Sequence, residues 1–453
     1  MKSKKIAYTS IVLLHIVFGI LLYVFNSFTL IYGLLINLAG IYLVFSSQNR
    51  QNQILYVAAY VVGSEVVLRM TGGFLLYEIG KYSVIIYMLL GLFFSGFNKN
   101  AIPYWIFLLI LIPGVIYALI TFNLNTDIRK AIAFNISGPV CLAISAIYCY
   151  KRQITLKEFD NIILCALFPI ITTVTYMFLF TPSIKAVITS TQSNFETSGG
   201  YGPNQVATIV GLGVFLIFTR VLFYSKQTWL LILNILLFAI FTFRGIVTFS
   251  RGGMICSGVM ILALLFVLFM VMKQSGKLKL FLILGFSMLL LLFIGIYSSI
   301  QTSGLIEKRY ANQDARGRVK ESMLSGRETI IEGEINMFLE NPVLGVGVGR
   351  GTELRSKAGD VSKTASHNEI TRMLAEHGMF GIIALIILII TPLLTFSSNK
   401  KNIYLIPFFI FWLLTINHAA MRLAAPAFIY ALCLLHIYAI EKPKIETNIL
   451  DNQ

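Results

Sequence analysis

The chain has 453 residues, 57% of them hydrophobic and only 12% charged, with a mean hydropathy of +0.80. Soluble domains carry about a quarter charged residues, so a soluble enzyme is excluded, as are a disordered chain and a disulfide scaffold. A transmembrane β-barrel is excluded too, because barrel strands alternate in polarity over about ten residues, whereas the apolar runs here are continuous for about 15–22. The net charge of +16 lies mostly in connectors between those runs, where lysine and arginine orient a membrane protein. It is not gathered on one face with aromatic partners, so no nucleic acid is expected.

In chain order the candidate spans are 6–24, 28–45, 54–68, 82–97, 102–122, 131–150, 161–180, 205–224, 228–247, 253–272, 278–299, 378–396, 403–417 and 424–440. They predict an all-α fold, a polytopic transmembrane helical bundle of 12–14 spans, with one large extracytoplasmic loop containing short helices. The first run has a basic start (Lys2, Lys4, Lys5) but no small-residue cleavage site after it, and is expected to be an anchor. The third run is short and carries Glu65 and Arg69; the thirteenth is short and ends in Asn417 and His418. Both are expected to be re-entrant or to lie against protein rather than lipid. All five cysteines fall inside apolar runs without metal-site spacing, which points to core packing.

With the long loop left out, alternate connectors and the tails hold 17 cations, among them Arg50, Lys151, Arg152, Lys400 and Lys401, against eight in the other short connectors, which predicts that both termini are cytoplasmic. The connectors 181–204 and 300–376 are then outside, and the second is long and highly charged. The organisation expected is an N-terminal transmembrane bundle (1–190), a core with the outer loop (191–396), and a C-terminal transmembrane hairpin with a cytoplasmic tail (397–453).

Two short helices are legible in the long loop. Ser325-Gly326-Arg327-Glu328 reads as a capping box before a run ended by Asn341-Pro342, and Ser366-His367-Asn368-Glu369 reads as a second, closed by His377-Gly378. Arg327 and His367 are thus expected in first turns. A helix N-terminus disfavours imidazolium, so His367 would stay neutral and able to accept a proton; the alternative is that it only helps to cap its helix. His377 is expected to complement the dipole at the C-terminal end of the same helix. The intervening Gly345-Val346-Gly347-Val348-Gly349-Arg350-Gly351 is neither a P-loop nor a dinucleotide fingerprint, and reads either as a phosphate-facing loop or as a flexible hairpin.

Ser250-Arg251-Gly252-Gly253 opens a span at the outer side, with Arg244 at the end of the span before it. Arginine at that depth either snorkels to headgroups or joins backbone amides in holding an oxyanion. Arg69 is expected to have only a surface role and to tolerate lysine. Asp-x-Asp pairs, zinc patterns and Walker motifs are all absent, and no ATP exists outside a membrane. The chemistry expected there uses a substrate already activated, such as a lipid-linked diphosphate.

Together, Ser250-Arg251-Gly252-Gly253, Ser325-Gly326-Arg327 leading to Glu340-Asn341-Pro342-Val343-Leu344-Gly345-Val346-Gly347, and Ser366-His367-Asn368 through Glu376-His377-Gly378 resemble the O-antigen ligase/O-antigen polymerase superfamily. Gly199-Gly200-Tyr201-Gly202-Pro203-Asn204 resembles the loop ahead of that family's core, and the resemblance spans about 195–395. It implies a GT-C-like fold and a metal-independent, cofactor-free enzyme of polysaccharide biosynthesis in the bacterial cytoplasmic (inner) membrane. The activity implied is transfer of a glycan from an undecaprenyl diphosphate-linked oligosaccharide to a glycan or lipid acceptor, with a chain-length regulator as a possible partner. Site residues implied are His367 as base and Arg251 and Arg327 on the diphosphate. Asn204 is a further binding candidate, and Arg244, Arg350 and Arg422 are the next places to seek the diphosphate. The competing class is a transporter or flippase of lipid-linked sugars, which would place charge mid-membrane and keep its loops short.

Overall fold

A chain segment surrounded by apolar groups satisfies its own backbone N–H and C=O most readily as a helix, and all the long apolar runs of this sequence but the last become helices. The computed structural model describes residues 7–74, 76–122, 127–320, 322, 327–357, 365–400 and 402–438. The helices are α1 (Tyr8–Val24), α2 (Asn26–Ser47), α3 (Gln53–Met70), α4 (Ile79–Ser95), α5 (Ile102–Thr121), α6 (Ile128–Cys149) and α7 (Leu156–Phe180). After the single turn α8 (Ile184–Val187) come α9 (Pro203–Phe223), α10 (Thr228–Ile246), α11 (Arg251–Val271) and α12 (Gln274–Gln301). The segment 302–378 holds α13 (Leu305–Tyr310), α14 (Glu328–Glu340), α15 (Gly351–Lys357) and α16 (Glu369–His377), and the chain ends in α17 (Met379–Ser398), α18 (Leu405–His418) and α19 (Ala424–Leu432).

Among the described residues ten helices are long and apolar enough to cross a membrane, and α1, α4 and α18 are shorter apolar helices. The protein is an all-α polytopic membrane bundle, as the composition requires. Its centre is α3, α7 and α9. Val61, Val62, Val66 and Val67 of α3 are fully buried; their β-branched side chains disfavour helix locally, so packing against α7 and α4 decides the conformation. At the rim, α12 turns most of its apolar side chains outward, for example Phe281, Leu289 and Phe293. The short runs that carry polar ends, α3 and α18, lie against protein, as expected.

The last run differs from expectation. Instead of a span over 424–440, helix α19 stops at Leu432 and the chain continues as a strand, β2 (His436–Tyr438), paired in parallel with β1 (Gln153–Thr155). Competing partners end the helix: Asn399 and Asn402 donate side-chain amides to the Leu435 carbonyl, and Lys151 donates its backbone N–H to Leu434 O at 2.8 Å.

The opposite end of the bundle holds a buried ionic network. Glu65 and Arg69, one turn apart on α3, pair at 2.6 Å with side chains 0% and 2% exposed. Glu65 also accepts the Ala424 N–H at 2.7 Å, where α19 starts, and Arg69 reaches Tyr201 OH at 3.2 Å and the Arg422 carbonyl at 3.3 Å. Arg69 is therefore not a surface residue, and the expectation that it tolerates lysine is withdrawn: a planar fork serves three partners at once. Beside it, Lys81 pairs with Glu78. Removing one member of such a pair strands the other. Glu65→Ala should cost about 3–5 kcal/mol, read as a lowered thermal midpoint of the purified full chain, and Arg69→Lys should also lower it; an unchanged midpoint in both would remove the network from the fold's supports.

Candidate functional site

The histidine of Ser366-His367-Asn368 owes its place to its two neighbours. Asn368, not Ser366, is the N-cap of α16, its side chain accepting from the Ile370 and Thr371 amides. Ser366 instead donates its hydroxyl to Glu334 of α14, which also accepts from Thr371 at 2.6 Å and Arg355 at 3.4 Å. His367 thus precedes the cap and lies outside the helix, not in its first turn. Arg327 likewise occupies the N-cap position of α14, while Ser325 and Gly326 of the expected capping box lie outside the described residues. The connector between α18 and α19 grips both: Ala420 N–H donates to His367 O at 3.0 Å, Arg422 donates to Ser366 O, and Arg327 donates to His418 O at 3.1 Å.

Arg251 is delivered from the other side. Gly253 lets the start of α11 meet the backbone of α9 at Ala207, and Gly252 lies against the ring of His418; a Cβ at either would overlap those atoms. Ser250 donates to Asn204 Oδ1 at 2.8 Å instead of capping α11. Just before it, Phe249 adopts φ +58°, costly for a bulky residue, and is held by a small apolar cluster with Ile184, Ile188, Val247 and Ile306. The strained carbonyl is used: Arg309 of α13 donates Nε to Phe249 O at 2.9 Å, and Arg251 reaches Arg309 O at 3.4 Å.

These residues meet around a cavity of about 330 Å³, whose lining includes Asn204, Arg251, Arg309, Arg327, His367 and His418. Three guanidiniums line it and, among the described residues, no carboxylate does, the arrangement of an anion site. Arg309 and Arg327 are pushed down from the usual arginine range, chiefly by burial. His367 is lowered to about 4, by burial first and then by Arg327 and Arg422, so the ring is neutral, and its buried Nδ1 finds no partner among the described residues. His418 must donate Nδ1 to the Leu414 carbonyl at 2.9 Å, which leaves Nε2 as acceptor 3.2 Å from the Thr208 hydroxyl. A second cavity of about 470 Å³ shares the wall formed by Asn204, Arg327, Ile330 and His367, and adds Tyr77, Phe195, Gln205 and Arg422.

Of the sequence candidates, Asn204, Arg251, Arg327 and His367 are brought together. Arg244 and Arg350 line neither cavity. Arg244 is 1% exposed and spends its guanidinium on the Met177, Thr181 and Thr197 carbonyls, and Arg350 turns back to Val346 O at 3.3 Å. The glycine loop is neither a phosphate cradle nor a flexible hairpin. Its amides go to Ala375 O, Glu376 O and Gly114 O and, from Gly349, to the Glu376 carboxylate at 2.9 Å. Gly347 and Gly349 sit at φ +93° and +81° against α5 and α6, where a side chain would clash. His377 is lowered to about 3, by burial and then Arg372; a neutral ring cannot complement a helix dipole, so that expectation is corrected. Arg309 and His418 carried no motif, and only the fold reveals them. The close contact at α11 is testable: Gly253→Ala should cost about 1–3 kcal/mol by overpacking. Gly258→Ala, where a Cβ meets nothing within 4 Å, should be neutral or stabilise by up to about 1 kcal/mol. Equal thermal midpoints would refute the close-approach argument.

No curated protein matches the chain. Residues 236–386, which include Arg251, Arg309, Arg327 and His367, match the family model described as O-antigen ligase. Over that third of its length the chain is similar to the O-antigen ligase/polymerase superfamily, as its motifs led one to expect.

Proposed function

We propose that the protein transfers a glycan, on the outer side of a bacterial cytoplasmic membrane, from an undecaprenyl diphosphate-linked donor to an acceptor hydroxyl, as a polysaccharide polymerase or ligase. One observation carries this reading: the neutral His367 forms a wall of a cavity lined by three arginines. The O-antigen ligase match supports a glycan-joining enzyme that uses a lipid-linked oligosaccharide and a glycan acceptor.

In this mechanism the diphosphate lies between Arg251, Arg309 and Arg327. Apolar Ile255, Ile330 and Ile331 of the same lining suit the start of a lipid chain. His367 removes the proton from the acceptor hydroxyl, the freed oxygen attacks the anomeric carbon, and the bond from that carbon to the phosphate oxygen breaks with inversion. Negative charge grows on the leaving diphosphate, and positioned guanidiniums stabilise it. The arginines take the electrostatic role, so the reading needs no metal.

Loss of the base should lower transfer roughly 10²–10⁴-fold in His367→Ala without loss of fold. The pH profile gives a sharper test. With its pKa lowered to about 4, His367 in the free enzyme is a competent neutral base above that pH and fails as pH falls through it. A bound diphosphate adds negative charge beside the ring and raises its pKa. The acid limb of kcat should therefore lie at higher pH than that of kcat/KM, which reports the free enzyme. Full activity in His367→Ala would sink the base assignment, and coincident limbs would detach its titration from the diphosphate.

Orientation follows the cation pattern of the connectors, with both termini cytoplasmic and the His367 end outside. Exposed Arg316 and Lys226 serve as reporters once replaced by cysteine. An impermeant thiol reagent on intact cells should label Arg316→Cys and leave Lys226→Cys unlabelled until permeabilisation; the reverse pattern would move the whole reaction to the cytoplasm.

A further inference from the structure

We infer that the second cavity is the acceptor site and that it selects a glycan bearing an acidic sugar. This rests on the donor assignment above, because only one wall separates the two cavities and His367 belongs to it. A base that takes a proton from the acceptor and faces the donor has to stand on such a wall.

The rest of the lining states what the acceptor is. Tyr77 and Phe195 are 49% and 60% exposed and contribute to the same cavity. Flat aromatic faces beside polar Ser193 and Gln205 suit a pyranose ring, which offers C–H groups on its faces and hydroxyls at its edge. Arg69 packs over one face of Tyr77 with 4.3 Å to the ring centre and fixes the ring, while Tyr77 OH lies 3.2 Å from Tyr201 OH.

Arg422 adds the charge selection. Arg69 and Arg372, its neighbours in this network, pair with carboxylates, but among the described residues no carboxylate pairs with Arg422. Its guanidinium lies 4.1 Å from the ring centre of Phe134 and one nitrogen donates to Ser366 O, and the residue lines the second cavity. Glu369 and Glu78 act on Arg422 only from a distance, and a half-buried cation without a carboxylate in direct contact is costly unless a ligand supplies one. A carboxylate on the acceptor sugar supplies it two residues from the His367 backbone partner Ala420. The first cavity, with three arginines and apolar isoleucines, is built for a different ligand.

The test uses the purified full chain in detergent and three probes measured by titration calorimetry: a tetrasaccharide alternating glucuronic acid and N-acetylglucosamine, the neutral N-acetylglucosamine tetramer, and geranylgeranyl diphosphate as donor surrogate. The acidic tetrasaccharide should bind roughly tenfold tighter than the neutral one, the value of one charge-assisted contact. Arg422→Gln should erase that preference, Arg422→Lys should keep part of it, and Tyr77→Ala should weaken both glycans. Diphosphate binding should survive all three and fall in Arg309→Gln. Should Arg422→Gln misfold, Arg422→Lys and Tyr77→Ala carry the same comparison. Equal affinity for the two glycans would overturn the acid selection, and diphosphate binding with neither glycan bound would overturn the acceptor site while sparing the donor reading. Glycan binding without diphosphate binding would instead overturn the donor reading.

Discussion

A single buried carboxylate organises the end of this bundle that holds the arginine-lined cavity. Glu65 accepts from the first amide of α19 and from Arg69, and Arg69 in turn holds the Arg422 carbonyl. That fixes the connector 419–423, whose own groups hold the His367 carbonyl, the Ser366 carbonyl and, through His418 O, Arg327. Six contacts therefore link a residue inside an apolar helix to a loop some 300 positions later. A carboxylate with no exposure is tolerable only when each oxygen is paired, and here each is. Burial of this pair fixes geometry; its net contribution to stability is a separate matter, since desolvation offsets much of the attraction.

The arginines of the protein sort by partner. Arg69, Arg220, Arg355 and Arg372 each meet a carboxylate, and their charge is spent on the fold. Arg309 and Arg327 are aimed instead by backbone carbonyls, Phe249 O and His418 O, which orient a guanidinium without neutralising it. Like charges gathered this way repel, and the cost is carried by the surrounding packing. It includes a left-handed Phe249 locked into an apolar cluster and an Ala420 at φ +50°. Strain of this kind next to a cavity lined with cations is what a preorganised anion site requires.

Much of this was legible in the sequence, and the limits are physical. Hydropathy located the membrane helices because burial of a whole run dominates any local preference, as the valines of α3 illustrate. The Ser-Arg-Gly-Gly and Ser-His-Asn motifs located residues that do share one cavity, because both are short and their work is local: glycine for a close approach, serine and asparagine for fixing a turn. Neither Arg309 nor His418 was legible as a site residue, because their roles come from contacts across dozens to hundreds of positions. The Glu65–Arg69 spacing was visible, one helical turn apart inside an apolar run, and an intramembrane pair at that spacing is a signal of a buried, partnered site. Arg69 was misassigned to the surface because the end of a short span looks the same in sequence whether lipid or protein covers it.

The place of His367 one residue before the cap of α16 has a chemical consequence. Within a first turn, a helix dipole would hold His367 neutral whatever occupied the cavity, since the dipole is a fixed part of the fold. One residue before the cap, the ring is governed by burial and by Arg327 and Arg422, and at least one of those charges is the group a diphosphate would cover. In the empty site the imidazole is neutral but a weak base, because nearby cations disfavour the imidazolium it must become. Under the proposed function, a diphosphate between the arginines would offset that field and make proton abstraction more favourable once a leaving group is in place. In the proposed mechanism the same guanidiniums would then strengthen the base and stabilise the departing charge, so an acceptor arriving first would meet a weaker base.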